Sequence, residues 1–240
     1  MTTASSITQD FIRYNSRRRF PEWKPEDPYS PYYERSPEAT FVIRRMLALL
    51  DLELTVGEWV KKALASANLQ EAQAFVERNS LDEQRHDLAL RKLSFYVGGA
   101  STDVESERLV QRWQAQKPSF SLAYALEMGV FFSLLPALTD FGDMYCVKVS
   151  QWISDDEGVH VLVNGRLAKE LGERLTQEQA ALVCDTVEWV FRPLGSTYVR
   201  RVQERALRRL TTGQDPDMMR QSVPVTPAFF EQVDRRSIVY

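Results

Sequence analysis

The stretch Ile153-Ser-Asp-Asp-Glu157-Gly-Val-His160 contains one of the two histidines in the 240-residue chain, and the other closes Glu83-Gln-Arg-His86. Each histidine therefore follows a glutamate by three residues. On an α-helix, side chains three residues apart lie on the same face, so a carboxylate and an imidazole at this spacing can bind one metal ion. Because both histidines have this spacing, the sequence predicts two metal-binding motifs.

A further glutamate lies thirty residues before each motif, and the two halves of the pattern are separated by a constant 74 residues. A common offset over several positions indicates an internally repeated helical hairpin. The pairs of residues related by this offset are Glu53 and Glu127, Glu83 and Glu157, His86 and His160, and Asp82 and Asp156.

The repeated set has the charge and the donor atoms of a dinuclear metal site. Two divalent ions carry a charge of about +4, four carboxylates balance it, and two neutral imidazoles add nitrogen ligands. Ferritin-like helical bundles build di-iron or di-manganese sites from this inventory. The alternative, surface acids and ordinary core histidines, leaves the repeat unexplained. The predicted metal ligands are Glu53, Glu83, His86, Glu127, Glu157 and His160.

Helical periodicity and helix-ending residues predict an all-α fold, a ferritin-like four-helix bundle with extra helices. Two antiparallel hairpins, joined by a long crossover at 99–118, would carry the ligands. Five prolines precede residue 38, so we expect an extended N-terminal arm over 1–36, the bundle over 37–213 and an extended C-terminal tail over 214–240. The predicted helices begin near 37, 69, 103, 119, 143 and 177, the first running past Val60 and the last broken at Arg192-Pro193.

Composition excludes several classes of protein. The chain has 44% hydrophobic and 26% charged residues and a net charge of −3, so nothing favours nucleic acid or an anionic membrane as a partner. The apolar run Met128–Leu138 is about half a bilayer span, and no secretory signal begins the chain. With two cysteines, a disulfide framework is also excluded, and we expect a cytoplasmic location without membrane contact.

Parts of the sequence resemble the second metal-binding helix pair of class I ribonucleotide reductase small subunits and, more broadly, ferritin-like oxygenases. The resemblance covers roughly residues 40–172. The tail Phe229-Phe230-Glu231 is similar to a phenylalanine-rich element near the C-terminus of some of those subunits. The stretches that carry the resemblance are Glu127-Met-Gly-Val-Phe-Phe-Ser, Asp143-Met144 and Ile153–His160.

The resemblance implies that the six predicted ligands hold two metal ions, with Fe/Fe favoured and Mn/Fe or Mn/Mn as alternatives. It also implies a catalytic role for Asp156 in a relay with a tryptophan of the N-terminal segment, where Trp23 is the candidate. The radical tyrosine of the reductase family is replaced here by Leu90. A normal tyrosyl-radical subunit is therefore disfavoured.

We accordingly expect an O2-activating non-haem dinuclear metal oxidoreductase that generates a high-valent oxidant for substrate oxidation. A small divergent ribonucleotide reductase small subunit is the alternative, and an iron-storage or ferroxidase protein is a third. The expected partners are O2 with an unknown substrate or a reductase large subunit, an electron donor protein, and a second copy in a homodimer.

Some side chains leave two interpretations open. Asp82 and Asp156 are either acceptors for the imidazole N–H groups or surface acids, and Asn164 either holds a water or substrate at the site or bonds within the core. Asp51 competes with Glu53, but helical phase places it on a more polar side. Tyr96 and Tyr124 lie near the site or are core aromatics. The last helix has a basic face that is either simply solvated or docks an acidic partner. Its residues are Arg200, Arg201, Arg205, Arg208 and Arg209.

Overall fold

The computed structural model describes residues 9, 12, 13 and 23–212, which are mainly helical and contain no β-strand. This confirms the predicted all-α class. The predicted tail 214–240, with Phe229-Phe230-Glu231, lies outside the described residues. The helices are α1 (Pro37–Leu47), α2 (Asp51–Ala67), α3 (Gln73–Tyr96), α4 (Val104–Gln114), α5 (Phe120–Phe141), α6 (Met144–Glu170), α7 (Gln177–Phe191) and α8 (Ser196–Thr212).

Side-chain caps fix five of the eight helix starts, among them those of α1 and α6. The Ser36 hydroxyl accepts a hydrogen bond from the Ala39 amide, and Pro37 occupies the first helical position of α1. The carboxylate of Asp143 caps α6 in the same way, and Gly172, with a φ of 65°, follows its end. These caps satisfy backbone groups that a helix end leaves without partners.

One predicted helix, expected to run from residue 37 past Val60, is instead two helices, α1 and α2. Amide groups at 48–50 bond to carbonyl oxygens three residues earlier, which tightens the chain between them. The tighter turn rotates the chain, and as a result Leu47, Leu49 and Leu52 are all buried. The physical reason is the run Met46–Leu50, whose apolar side chains do not follow the helical period.

Helix α5 is a second departure from the regular helix that the sequence predicts. Its segment Ala125–Phe131 is a π-helix, and this segment carries Glu127. Further along, Pro136 cannot bond to the carbonyl group of Phe132, and the side chain of Arg209 on α8 donates to that oxygen instead. Arg209 is therefore a structural residue of the α5–α8 contact, and burial lowers its pKa.

The ligand-bearing helices pair as two hairpins, α2 with α3 and α5 with α6, and α4 lies in the crossover between them. Helices α7 and α8 pack on the opposite side of α5, where Gly129 allows close approach: a β-carbon there would lie 2.9 Å from Val183 and 3.2 Å from Leu210. This arrangement places α5 at the centre of the bundle.

By length and composition, α5 is the one helix among the described residues that could cross a membrane. However, 78% of its most apolar window is buried within the protein, and a buried core helix meets the same two criteria. Its apolar character is therefore explained by its central position.

Residues 23–36 of the N-terminal arm contain no helix and lie against α3 and α6, whereas the described residues 9, 12 and 13 are helical, contrary to the extended conformation predicted for them. Tyr145 donates a hydrogen bond of 2.8 Å to the carbonyl oxygen of Glu26, and Tyr96 donates one of 3.3 Å to that of Pro31. Lys92 donates to the carbonyl oxygen of Pro25 at 2.9 Å. These bonds hold the arm over the α3–α6 side of the bundle.

Replacing Gly142 by alanine is expected to destabilise the protein by about 1–3 kcal/mol, the usual cost of forcing a methyl group into a packed region. A β-carbon there would lie 2.6 Å from the carbonyl oxygen of Leu138 and 2.7 Å from the sulfur of Cys146. Denaturant unfolding of the metal-free protein measures the change. Gly158→Ala is the control: its β-carbon meets no atom within 4 Å, and alanine favours a helix. Equal stability of G142A and the wild type would contradict this packing.

Candidate metal centre

Four helices bring the six predicted ligands into the middle of the bundle. All six side chains are buried, with no more than 2% of any residue exposed. Helices α2 and α5 each contribute one glutamate, and α3 and α6 each contribute a glutamate and a histidine. The residues brought together are Glu53 on α2, Glu83 and His86 on α3, Glu127 on α5, and Glu157 and His160 on α6.

Three carboxylates surround the imidazole of His86. Its Nδ1 atom lies 3.3 Å from Oε2 of Glu83, 3.3 Å from Oε1 of Glu157 and 3.5 Å from Oε2 of Glu53. One ligand atom from each of these four residues lies within 4.8 Å of the others, as a metal ion would require. This group forms the first candidate metal position.

The second candidate position lies beside His160. Its Nδ1 atom is 3.2 Å from Oε1 of Glu83 and 3.6 Å from Oε2 of Glu157, and Glu127 completes the group. Glu83 and Glu157 therefore turn one oxygen to each imidazole. Each of these two carboxylates could therefore contribute to both positions, whereas Glu53 lies in the first group only and Glu127 in the second only.

The donor atoms themselves test whether metal ions fit. Buried polar atoms in proteins are normally hydrogen-bonded, yet several atoms at this site have no hydrogen-bond partner. They point to the same two positions, and together their residues supply three carboxylates and two imidazoles, to which Glu127 adds a fourth carboxylate. Two divalent ions fit this set. The unpartnered atoms are Oε2 of Glu53, Oε2 of Glu83, both carboxylate oxygens of Glu157, and Nδ1 of His86 and of His160.

The outer nitrogens of the two histidines contact the aspartates of the opposite motif. Nε2 of His86 lies 3.3 Å from Asp156, and Nε2 of His160 lies 3.3 Å from Asp82. Arg85 donates to both aspartates and links them. These carboxylates hold the N–H groups on Nε2 and leave Nδ1 free to bind metal.

Trp23 joins this outer network from the N-terminal arm. Its indole Nε1 donates a 2.9 Å hydrogen bond to Asp156, and its ring stacks on His86 at 6.0 Å between centroids. On its other side, Trp23 stacks on Trp152 with centroids 5.2 Å apart and an interplanar angle of 7°. Aromatic rings and one carboxylate thus connect the site to the partly exposed Trp152.

Burial and mutual contact shift the pKa values of the ligand groups in opposite directions. Burial raises the pKa of Glu53 to about 8, and burial with the nearby Glu157 raises that of Glu127 well above its usual value. For Glu83, burial acts upward, but His160 and His86 lower its pKa to about 2. The metal-free site therefore holds protons that metal ions would displace.

The structure also places the residues for which the sequence leaves two interpretations. Asp51 lies at the surface and pairs with Arg91 at 3.0 Å, outside the cluster. The amide nitrogen of Asn164 lies 3.0 Å from both carboxylate oxygens of Glu127, and Leu90 is buried. Tyr124 is buried in the core, and burial raises its pKa to about 12.

Tyr96 and Asn79 lie outside the two candidate metal positions. The hydroxyl group of Tyr96 donates to Asp143, the cap of α6, and to Pro31 of the arm, so it serves the bundle end. Asn79, which the sequence analysis missed, donates a 2.9 Å hydrogen bond to Glu83. Its position one helical turn before Glu83 was the available signal.

The arginines of α8 divide between two environments. Arg209 reaches the backbone of α5, and Arg200 pairs with Glu204 at 3.1 Å. Arg201, Arg205 and Arg208 lie on the exposed face of the helix. The predicted basic face therefore lacks Arg209, whereas Arg200, Arg201, Arg205 and Arg208 are exposed.

No protein-family profile matches the sequence, and a comparison with curated proteins finds no match. Solved structures do share the fold. A mutant of an R2-like ligand-binding oxidase with an aerobically reconstituted Mn/Fe cofactor has a TM-score of 0.52 and 14% identity, over 97% of this chain and 93% of that one. A second R2-like ligand-binding oxidase, also with aerobically reconstituted Mn/Fe, gives 0.51 and 13%, over 97% and 92%. The predicted ferritin-like fold is confirmed.

We expect Mn²⁺ binding to the metal-free protein to release protons and to become tighter as pH rises. Neighbouring carboxylates raise the pKa of His86 and of His160 against the effect of burial, and that of Glu53 is about 8, so these groups are protonated near neutral pH. Metal ligands must lose those protons. Below its pKa, each displaced proton increases the affinity about tenfold per pH unit.

Calorimetric titration in buffers of different ionisation enthalpy counts the released protons. Asp51→Ala is a matched control, because this exposed acid of α2 lies outside the cluster and should leave the proton count unchanged. An affinity that is constant between about pH 6 and about pH 8 would contradict the protonated metal-free site.

Proposed function

We propose that this chain is an O2-activating non-haem oxidoreductase with a dinuclear metal site. The observation that carries the proposal is the buried, duplicated set of four carboxylates and two imidazoles, whose unpartnered atoms point to two adjacent positions. Burying these four carboxylates without metal ions would destabilise the folded protein, because like charges repel in a medium of low polarity. Its retention in the core therefore favours a metal-dependent function.

We propose two redox-active ions, with iron in at least one position. The sequence favours Fe/Fe, whereas the R2-like oxidases of similar fold contain Mn/Fe, so manganese in one position is the first alternative. Bound at this site, the ions would supply the electrons that reduce O2 and the oxidising power used on the substrate.

The protein's own side chains would control where that chemistry occurs. Glu83 and Glu157 are placed to hold both ions at a fixed separation. Asn164 orients the carboxylate of Glu127 by donating to both of its oxygens. Leu90 and Phe131, which lie one helical turn after His86 and Glu127 on the same helices, are each only 5% exposed, and such apolar neighbours would keep bulk water from the ligands.

An electron from a donor protein would enter by way of Trp152 and Trp23. The two stacked rings lie between the protein surface and Asp156, which contacts His86. Trp23 also packs beneath Arg85, whose guanidinium carbon lies 5.4 Å from the ring centroid. This route gives Asp156 the relay role that the sequence resemblance implies.

The same contact favours a second candidate function, a divergent radical-generating small subunit of ribonucleotide reductase. A tryptophan bonded to this aspartate is what the resemblance implies for that family. The presence of Leu90 in place of the radical tyrosine argues against this second function. Any stored oxidising equivalent would have to remain on the metals or on another side chain.

Anaerobic loading with Fe²⁺, with Mn²⁺ or with both, followed by exposure to O2, tests the main proposal. We expect two ions per chain, and optical and paramagnetic spectra that change when O2 is added. Because Glu157 lies beside both imidazoles, Glu157→Ala should lose both ions, whereas Glu127→Ala and Glu53→Ala should each retain one. Glu58→Ala, an exposed acid on α2, is the control for Glu53→Ala. Fewer than one ion per wild-type chain would refute the site.

The same experiment distinguishes the other functions. A mixed-metal or tyrosyl signal together with binding to a reductase large subunit would favour the second candidate. Uptake of iron far beyond two ions per chain, with mineral formation, would indicate storage instead.

Replacing Trp23 by phenylalanine should slow the reduction of the oxidised site by an external one-electron donor while leaving the metal content unchanged. The variant keeps an aromatic ring but loses the hydrogen bond to Asp156, which breaks the contact between the stacked rings and the proposed relay. Stopped-flow absorbance measures the reduction. Trp59→Phe is the control, since Trp59 packs against Trp113 instead. Equal rates for W23F and the wild type would exclude this route.

A further inference from the structure

The two ends of the candidate metal centre differ in polarity. At one end, Asn79 lies four residues before Glu83 on α3, and Asn164 lies four residues after His160 on α6. These two helices run antiparallel, because each histidine contacts the aspartate of the opposite motif. Both asparagines therefore lie at the same end of the site, and both are fully buried. We call this the amide end.

The opposite end of the site is apolar. Leu90 follows the motif of α3 and Ile153 precedes the motif of α6, and both side chains are buried. The offset of 74 residues makes the comparison direct, because it relates Asn79 to Ile153 and Leu90 to Asn164. The two halves of the repeat therefore differ at these positions, with an amide in one half and an aliphatic side chain in the other.

Each asparagine binds a metal ligand through its amino group. Nδ2 of Asn79 donates to Glu83 at 2.9 Å, and Nδ2 of Asn164 donates to both oxygens of Glu127 at 3.0 Å. An ionised carboxylate only accepts hydrogen bonds, so these contacts fix which way each amide points. The two Oδ1 atoms are left buried, and neither has a hydrogen-bond partner among the residues that the structure describes.

Support of the carboxylates does not by itself explain the two asparagines. Glu157, which the repeat relates to Glu83, has Ile153 in place of an amide, and neither of its oxygens has a hydrogen-bond partner in the described part of the chain. A buried acceptor without a donor destabilises a folded protein, and an aliphatic side chain at the same place would avoid this. The two Oδ1 atoms therefore await a donor that the described residues do not supply.

The amide end adjoins the second candidate metal position. Glu83, Glu127 and His160 form that position, and the two asparagines bond to its two carboxylates. A molecule that donates to the Oδ1 atoms would lie beside the ion bound there. The position suits a substrate of the proposed oxidoreductase.

Charge and packing limit the kind of molecule that fits. Two divalent ions already balance four carboxylates, so an ammonium group would add an uncompensated buried charge. Phe75 meets the ring of His160 edge-on at 6.3 Å between centroids, which makes the surroundings of the amides apolar. An open pocket of about 270 Å³ lies at the surface near this end, and its lining includes Val76, three residues before Asn79.

We propose that Asn79 and Asn164 form a substrate subsite, which accepts hydrogen bonds from the N–H or O–H group of a small, uncharged and otherwise apolar molecule. The amide end then selects the substrate and holds its polar group next to the second metal position. This inference rests on the proposed function, because it names the substrate class of that same site.

The binding of matched probes to Mn²⁺-loaded protein under anaerobic conditions tests the subsite without any turnover. Aniline, phenol and toluene are similar in shape, but aniline supplies N–H donors, phenol an O–H donor and toluene none. In calorimetric titration, aniline or phenol should bind at least about tenfold more tightly than toluene, and the tighter of the two identifies the donor group. Toluene binding as tightly as both, or no binding of any probe up to about 10 mM, would overturn the proposal.

Substitution by the residues at the repeat-related positions should remove the subsite. The double variant Asn79→Ile, Asn164→Leu should lose the preference for the donor-bearing probe. Gln203→Leu is the matched control and should keep it, because Gln203 is a buried amide of α8 whose Nε2 donates to Cys184 and whose Oε1 has no described partner. A preference that survives in the double variant would refute the assignment. The wild-type comparison does not depend on how well this variant folds.

A crystal structure of the Mn²⁺-loaded protein with the tighter probe shows its position directly. The nitrogen or oxygen of the probe should lie about 3 Å from Oδ1 of Asn79 or of Asn164. Ordered water on both oxygens, with the probe elsewhere, would contradict the subsite. Failure of the proposed function is distinguishable, because it appears as fewer than one ion per chain. Failure of the subsite alone leaves the metal content and the response to O2 intact.

Discussion

Four carboxylates and two imidazoles share one interior, and the rest of the structure follows from that constraint. An isolated buried charge costs far more than any single packing contact provides, so the groups must lie where ions of opposite charge can balance them. No single helix can present all six to one point. Two hairpins are needed. The helical turns that carry the ligands must face one another at the same level of the bundle. The outer contacts of Asp82 and Asp156 with Arg85 extend the compensation of charge to the edge of the bundle.

Much of this arrangement could be predicted from the sequence, because it depends on the spacing of residues along the chain. The offset of 74 residues identifies the two halves, and helical phase separates Glu53, which lies in the cluster, from Asp51, which lies at the surface. Ser36 and Asp143 mark helix starts through side-chain caps that depend only on neighbouring residues. Such features need no knowledge of the tertiary structure.

Features that depend on packing between distant segments could not be predicted. Apart from Glu127, the π-helix at Ala125–Phe131 has apolar or small residues on all sides, so periodicity gives no sign of it. Which aspartate contacts which histidine depends on how the hairpins face one another, and the answer, each with the opposite motif, is not local. The contact of Trp23 with Asp156 spans 133 residues, along an arm without helical periodicity, and only the resemblance to the reductase family indicated it.

The two helices that carry the single glutamates depart from α-helical geometry in opposite senses. Glu53 enters α2 through a turn wound more tightly than an α-helix, and Glu127 lies in a π-segment wound more loosely. Glu53, Glu83 and Glu157 lie beside His86, and Glu83, Glu157 and Glu127 lie beside His160, where Asn164 additionally holds Glu127. A symmetrical sequence repeat has therefore folded into an asymmetrical pair of coordination environments. Two ions bound here would have unequal surroundings, which a perfect duplicate could not offer.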